Sequence, residues 1–350
     1  MAHSPSVVVI VGAGQSGLAA ASAAKAAGFR PLILEAGERP VGSWPAYYDS
    51  LTLFSPARYS AFPGVPLPGD PDRYPSRDEV VAYLEAFAAT LDVELRTGVR
   101  VVKVTTAGTG FAVHTESGEV VQAAGVVAAS GSFGSPFVPS LPGLDGFTGD
   151  VLHVAGYRRP KSYAGQRVVV VGAGNSAVQV AYELADVATV TLAVRRPVQF
   201  IPQVRGGRDM HYWLTKLRID LLPPAVLSRV IRGTPVFDTG EYRAALASGR
   251  YRQRPMFSGF DGDHVVWPDG ERERADTVIL ATGYRPNVDY LEPLGALDTA
   301  GLPLHKGGVS LTHPGLVYAG LEFQRSFSSN TLRGVHRDAT HVIAALKAHL

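Results

Sequence analysis

The chain has 350 residues, 46% apolar and 18% charged, a composition that folds and is long enough for two domains with separate cores. A formal net charge of +2 is too small a bias to point to nucleic acid. The lack of cysteine excludes disulfides, thiolate zinc sites, iron–sulfur clusters and redox-active thiol pairs, and it fits a reducing cytoplasm.

The apolar start, VVVIVGAGQSGLAAASAAKAAG, has no Lys or Arg before it and is interrupted by Gly12, Gly14 and Gly17, so neither a secretory signal nor a membrane span is expected. It reads instead as a buried strand, a G-x-G-x-x-G turn and a helix over Leu18–Ala27, followed by a strand over Pro31–Glu35. The first glycine permits a tight turn, the second lets backbone N–H groups approach a pyrophosphate, and the third lets the helix pack on the strand. The helix N-terminus then faces the phosphates with its positive dipole end. Glu94–Gly131 breaks into short strands, VRVVKVTT, GFAVHT, EVVQ and GVVAASG, a meander returning to a parallel strand beneath the nucleotide. The Gly/Pro-rich turn ASGSFGSPFVPSLPG follows, and a crossing between domains is expected near Leu144–Arg158. That crossing contains GFTGDVLHVAGYRRP, whose His153 is readable as an acid or base, a ligand, or a hinge between domains.

Arg167–Ala177, RVVVVGAGNSA, then repeats the opening pattern, with a helix over Val178–Val187 and a strand over Thr189–Val194. A lone glycine motif is weak evidence; two copies in the same strand–turn–helix setting are strong. The copies differ at one informative place. Twenty-three residues on from Gly12 stands Glu35; 23 on from Gly172 stands Arg195. A carboxylate at that strand end accepts hydrogen bonds from ribose hydroxyls and repels a 2′-phosphate, whereas an arginine fork suits the phosphate. The first site is therefore expected to take FAD. The second is expected to take NADPH, with Arg195 and Arg196 on the phosphate and NADH as a weaker option.

Arg208–Ser248 is expected to form helices that cover the site or extend the domain. Arg254–Gly283 repeats the meander, and Tyr284–Asp289 is the second crossing. The expected fold class is α/β, with two dinucleotide-binding (Rossmann-like) domains and the NADP domain inserted into the FAD domain. The expected boundaries are residues 1–145 and 285–350 for the FAD domain and 146–284 for the NADP domain. Val335, Ala339, Val342, Ile343 and Leu346 give a C-terminal helix an apolar face. His336 and His341 lack one-face metal spacing and read as exposed, the HRD run at His336–Asp338 reads as helix surface, and no metal site is expected.

With these motifs in place the chain resembles the class B flavin-containing monooxygenases in their compact bacterial form, over nearly its whole length. The likeness rests on GAGQSG with Glu35, VGSWPAYYDSLTLFSPARYSAFPG, YPSRDEVVAYLEAFA, FTGDVLHVAGY, GAGNSA with Arg195, ATGYRPN and GLEFQRSFSSNTLRGVHRDA. Phe147, Gly149, His153 and Tyr157 match the family's F-x-G-x-x-x-H-x-x-x-(Y/F) signature; the Baeyer–Villiger branch carries Trp where this chain has Tyr157.

The resemblance implies that Gly12, Gly14, Gln15, Ser16 and Gly17 hold the FAD pyrophosphate and Glu35 its ribose. Gly42, Ser43 and Trp44 lie along the FAD, Val102 meets the adenine, and Gly131, Gly320 and the Ser328–Leu332 region complete that site. Gly172, Gly174, Asn175, Ser176, Arg195, Arg196 and Gly283 hold NADPH. Tyr47 and Tyr48 either line the site or pack as an aromatic cluster. Many members place an Asn above the flavin where LTLFSPARYS has none, so Phe54 or a neighbour stands there.

The implied chemistry is hydride transfer from NADPH to the flavin, a flavin C4a-(hydro)peroxide from O2, and oxygen transfer to a thioether or amine of a small molecule. The alternative is a reductase or oxidase that passes electrons to an external acceptor or to O2. No protein nucleophile is required, and no catalytic residue is certain; Phe54, His153, Tyr157 and Gln324 are the candidates, with His153 favoured as a hinge. No nucleic-acid or membrane partner is expected, and a homodimer is.

Overall fold

The computed structural model describes residues 6–226 and 235–350. Val7–Val11, a β-branched run with no polar side chain, is buried at the centre of a seven-stranded sheet. Runs of this kind are stable only where both faces are covered. In sheet order the strands are His305–Lys306, Val309–Ser310, Leu316–Tyr318, Gly125–Ala128, Val7–Val11, Arg30–Leu34 and Glu94–Arg96. The last five pair in parallel; the first two add antiparallel. One face is covered by the helices Gln15–Ala26, Arg77–Thr90 and Val335–His349. Arg77–Thr90 starts at a capping box, in which Ser76 and Glu79 each satisfy the other's backbone N–H. The C-terminal helix buries all five residues of its expected apolar stripe. The antiparallel meander of Val101–Ala107, Gly110–Thr115 and Val120–Ala123, with the short helix Asp289–Leu294, covers the other face.

A second, five-stranded sheet is parallel throughout, in the order Arg252–Pro255, Thr189–Val194, Arg167–Val171, Thr277–Leu280, Asp150–His153. Asn175–Leu184 and Glu241–Ala247 pack on one face. A second meander, Gly259–Asp261, His264–Val266 and Arg272–Arg274, packs on the other around Trp267 and Phe257. Both sheets thus follow the dinucleotide-binding plan, strand–glycine turn–helix–strand, each with a meander before its returning strand. The second sheet is built wholly from residues 150–280, and the first takes strands from both sides of that stretch.

The structure corrects several sequence expectations. The helices begin directly at the glycine turns, at Gln15 and Asn175, because in each case a glycine with extended backbone, Gly14 or Gly174, sits at the N-cap position. The stretch around His153 is more than a crossing: Asp150–His153 is an edge strand, paired in register with Thr277–Leu280. Its exposed Asp150 and Val151 hid that role, as is usual for an edge. Arg252–Pro255 is likewise an edge strand of the sheet. Asp338 is not helix surface; it is 2% exposed and paired with Arg325 at 3.2 Å. His336 is half-buried rather than exposed, because the helix start lies beneath the Ser328–Gly334 loop. Of the segment 208–248, residues 227–234 lie outside the described residues; the rest holds the helices Met210–Lys216 and Glu241–Ala247 and the strand Val236–Asp238.

Candidate active site

A cleft of about 580 Å³ opens at the carboxyl ends of the central strands of the first sheet. The first glycine loop, the end of the second strand and the loops after Gly125–Ala128 and Leu316–Tyr318 form its walls. This is the place where open α/β sheets bind nucleotides. Gly12, Gly14, Gln15, Ser16, Glu35, Gly42, Ser43, Val102, Gly131 and Gly320 all line it, so residues scattered over three hundred positions converge. Gly17 and Trp44 stand one layer behind. A Cβ on Gly17 would lie 1.8 Å from the Gly12 carbonyl oxygen, and the Trp44 indole donates to Gln15 Oε1 at 2.8 Å.

The loop is shaped by close backbone approach. Gly12 has φ +101°, and a Cβ there would meet the Ala129 carbonyl at 2.7 Å. A Cβ on Gly42 would fall 2.8 Å from Gly14 Cα, and one on Gly320 only 1.9 Å from Ser16 Oγ. Side chains at these points would fill the cradle that a pyrophosphate needs. Glu35 is 7% exposed, and its carboxylate accepts from the backbone N–H of Ala13 (2.5 Å) and of Gly37 (2.7 Å). A carboxylate has about four lone-pair positions. Two remain for a ribose, which fits the expected adenosine.

Asn287 and Tyr290, not singled out in the sequence, help complete the cleft together with Ser130 and Tyr47. Ser130 Oγ donates to the Asn287 carbonyl at 2.5 Å and meets the Tyr290 hydroxyl at 3.0 Å. Tyr47 lines the cleft, with its ring 4.5 Å from Phe133; burial pushes its hydroxyl pKa up, so it stays neutral. Tyr48 instead packs 6.0 Å from Tyr157 and donates to Gln179, so the two adjacent tyrosines have different jobs.

At the second loop, Gly172 has φ +143°, and a Cβ there would meet the Ala281 carbonyl at 2.4 Å. Ala177 is buried at the third position. Asn175 Oδ1 accepts from the Phe237 N–H at 3.3 Å, and Ser176 is half-buried at the helix start. Arg195 and Arg196 are both exposed at the end of Thr189–Val194, and among the described residues neither has an ion-pair partner.

The catalytic candidates fall in different places. His153 Nδ1 accepts from the Ala155 N–H at 3.1 Å, so the ring proton is on Nε2, which donates to the Gly283 carbonyl at 3.0 Å. Both nitrogens are committed to backbone, and burial lowers the pKa, outweighing the Gly283 bond, so the ring is neutral. It ties the first crossing to the second. Tyr157 is wholly buried, donates to Glu183 at 2.9 Å and stacks on Tyr163. Gln324 bridges the Tyr318 carbonyl and the Leu321 N–H, bracing the loop beyond Gly320. Phe54 lies outside the cleft lining; its ring stacks on Phe237 at 5.4 Å and on His211 at 6.0 Å. Among the described residues no His/Cys/Asp/Glu cluster has the form of a metal site.

The family model for pyridine nucleotide-disulphide oxidoreductases matches residues 9–217. The chain belongs to that family, in its flavin-containing monooxygenase branch. Indole-3-pyruvate monooxygenase YUCCA1 of Oryza sativa subsp. japonica is 34% identical over 325 residues, covering 83% of this chain and 80% of that one. An uncharacterized oxidoreductase, CzcO-like, of Geobacillus kaustophilus is 31% identical over 347 residues, 98% of each. The structure of a flavin-containing monooxygenase from Stenotrophomonas maltophilia superposes with a TM-score of 0.86 at 29% identity, covering 98% of both chains. The protein is therefore a flavin-dependent oxidoreductase of monooxygenase type, and FAD and NADPH are its family's cofactors. No helix among the described residues is long and apolar enough to cross a membrane.

Proposed function

We propose that the chain is an FAD-dependent, NADPH-driven monooxygenase that places one oxygen atom of O2 on a soft nucleophile of a small molecule, a thioether sulfur or an amine nitrogen. The observation that carries this reading is the inequality of the two loops: Glu35 stands buried at one strand end, and Arg195 and Arg196 stand exposed at the equivalent end of the other. On this reading Gly12, Gly14, Gln15, Ser16, Gly17, Glu35, Gly42, Ser43, Trp44, Val102, Gly131 and Gly320 bind FAD. Gly172, Gly174, Asn175, Ser176, Arg195, Arg196 and Gly283 bind NADPH. The FAD domain comprises residues 1–145 and 285–350, and the NADP domain residues 146–284.

Bound FAD supplies hydride acceptance and O2 activation. The protein supplies binding, alignment and exclusion of water. The start of the helix Gln15–Ala26 faces the pyrophosphate, and Glu35 takes the ribose hydroxyls. Trp44, Gln15 and Asn330 form a chain of hydrogen bonds, with Gln15 Nε2 donating to the Asn330 carbonyl at 3.3 Å, that holds the wall of the cleft. His153 acts as a positioning residue: its two backbone bonds fix how the crossings leave the sheets, and so how the two nucleotide sites face each other. The complete reading has a homodimer in the cytoplasm, with no nucleic-acid partner.

The reductase or oxidase reading draws on one observation. No amide side chain stands in residues 51–60, and Phe54 there turns to Phe237 rather than into the cleft. One experiment separates the two. Purified enzyme is given NADPH, labelled O2 and thioanisole. Label in the sulfoxide supports monooxygenation; NADPH consumption matched wholly by hydrogen peroxide, with any substrate, overturns it.

A further inference from the structure

Two tyrosines line the cleft, and they are held differently. The Tyr290 hydroxyl meets Ser130 Oγ at 3.0 Å, whereas the Tyr47 hydroxyl has no partner among the described residues. Everything else about Tyr47 is fixed. Its ring lies 5.6 Å from Trp44 and 4.5 Å from Phe133, and Phe133 in turn stacks on Tyr284 at 5.4 Å. Its carbonyl oxygen accepts from Arg77 at 2.7 Å and from Arg158 at 3.0 Å. Arg77 opens the helix Arg77–Thr90 and Arg158 lies beyond the edge strand Asp150–His153, so elements of both sheets grip the loop.

A tyrosine hydroxyl in such surroundings ordinarily finds a protein partner. Tyr47 is half-buried, and burial pushes its pKa up, so at neutral pH the phenol keeps its proton and is a donor. A ring with two rotatable bonds, already held on both sides, loses little freedom when that donor engages a ligand.

The charge of the cleft decides which acceptor suits it. The pyrophosphate of FAD is a dianion. Among the described residues lining the cleft there is no lysine and a single arginine, Arg100. Arg100 stands at the ribose end, next to Val99, whose N–H donates to the Glu35 carbonyl at 2.8 Å, and it faces Glu116 at 3.9 Å. Neutral donors therefore have to hold the phosphates: N–H groups at the start of the helix Gln15–Ala26, and hydroxyls. Tyr47 and Phe133 are carried by the two loops that close on the glycine turn. A Cβ on Gly42 would fall 2.8 Å from Gly14 Cα, and one on Gly12 would fall 3.1 Å from Ser130 Cα.

We infer that the Tyr47 hydroxyl donates a hydrogen bond to a pyrophosphate oxygen of bound FAD, in a cleft that offers those oxygens no lysine or arginine. This rests on the assignment of the cleft to FAD, and it adds a ligand that lies outside the glycine motif.

The test titrates the full-length apoprotein with FAD and with ADP, which keeps the pyrophosphate and lacks the flavin. Tyr47→Phe keeps the ring and its packing. It is expected to weaken both ligands about tenfold or more, the scale of a hydrogen bond to a charged acceptor, and to leave the Tm of the apoprotein unchanged. Tyr47→Leu is expected to weaken them little further. Tyr47→Phe that binds both ligands like wild type, with the loss confined to Tyr47→Leu, makes the role one of packing and overturns the inference. A lower apoprotein Tm in Tyr47→Phe overturns it too, since the loss is then structural. Weakening of FAD alone moves the bond to the flavin or ribityl side and overturns the assignment to pyrophosphate. Where the flavin cannot be removed without unfolding, FAD release from the holoenzyme, followed by flavin fluorescence, takes the place of the titration. Release about tenfold faster in Tyr47→Phe supports the inference, and release within about twofold of wild type overturns it. Wild-type protein that takes up neither FAD nor ADP brings down the assignment of the cleft itself, a failure distinct from that of Tyr47.

Discussion

Two glycine loops open two sheets whose central strands are parallel, yet only the first loop is sealed. Around Gly12–Gly17, added methyl groups at Gly12, Gly17, Gly42 or Gly320 would meet neighbouring atoms at 2.8 Å or less. The loop is thus closed by backbone from segments near residues 42, 129 and 320. At the second loop Gly172 is similarly tight, but Ala177 occupies the third place, and the strand ends in two exposed arginines. On the proposed function, the difference is that between a site that keeps its nucleotide and one that exchanges it. Contacts from several distant segments all have to break before a ligand leaves the first, whereas exposed charges at an open strand end give attraction with little enclosure.

The largest expected effect breaks the comparison at the third glycine. Gly17→Ala places a Cβ 1.8 Å from the Gly12 carbonyl, a clash with backbone that cannot yield. It should cost about 3 kcal/mol or more and give protein purified without yellow colour. Ala177→Gly, the reverse change at the second loop, should cost only about 1 kcal/mol, read as a small shift in Tm. If both variants keep their flavin and their Tm, the loops are not different in the way described. Next, Arg195→Ala should raise the KM for NADPH about tenfold or more and leave that for NADH within about twofold. Equal changes would remove Arg195 from the phosphate.

Glu35→Gln sharpens the first site. An amide cannot accept from both the Ala13 and Gly37 N–H groups through two oxygens, so one donor is left opposed to an NH2. The expected cost is about 1–3 kcal/mol, measured as lower flavin retention and Tm. The smallest effect concerns the root of the second sheet, where Arg167 grips Asp276 through two bonds and its own backbone N–H. These bonds hold the Asp276 pKa at about 2, below its ordinary 3.8. A depressed carboxylate contributes stability above its unfolded pKa and loses it as the pH falls through the folded one. Acid unfolding of the wild type between about pH 4 and pH 2 should therefore be steeper than that of Asp276→Asn, seen in Tm against pH.

Much of the architecture was legible in the chain because the glycine turns are local: strand, turn and helix lie within some twenty residues, and the register of Glu35 with Arg195 needs only counting. The edge strands Asp150–His153 and Arg252–Pro255 were not legible, since an edge carries polar side chains and lacks the alternation that marks a buried strand. Asp338 was misplaced on the helix surface because its partner, Arg325, lies in a loop whose path nothing local dictates. His153 gave no sign of its ligands, since the Gly283 carbonyl it holds is 130 positions away.

By itself, then, the sequence determined the fold class, the two nucleotide turns and the opposite charges at their strand ends, because short-range sterics and hydrophobic period decide these. Only the tertiary structure decided what the loops close against and which polar groups become buried together. Gly320 meets Ser16, and Tyr74, Asp209 and His211 meet beside Arg333, through chain crossings with no local signal. Burial then sets the charge of each group, and that is a property of the assembled neighbourhood rather than of any residue in it.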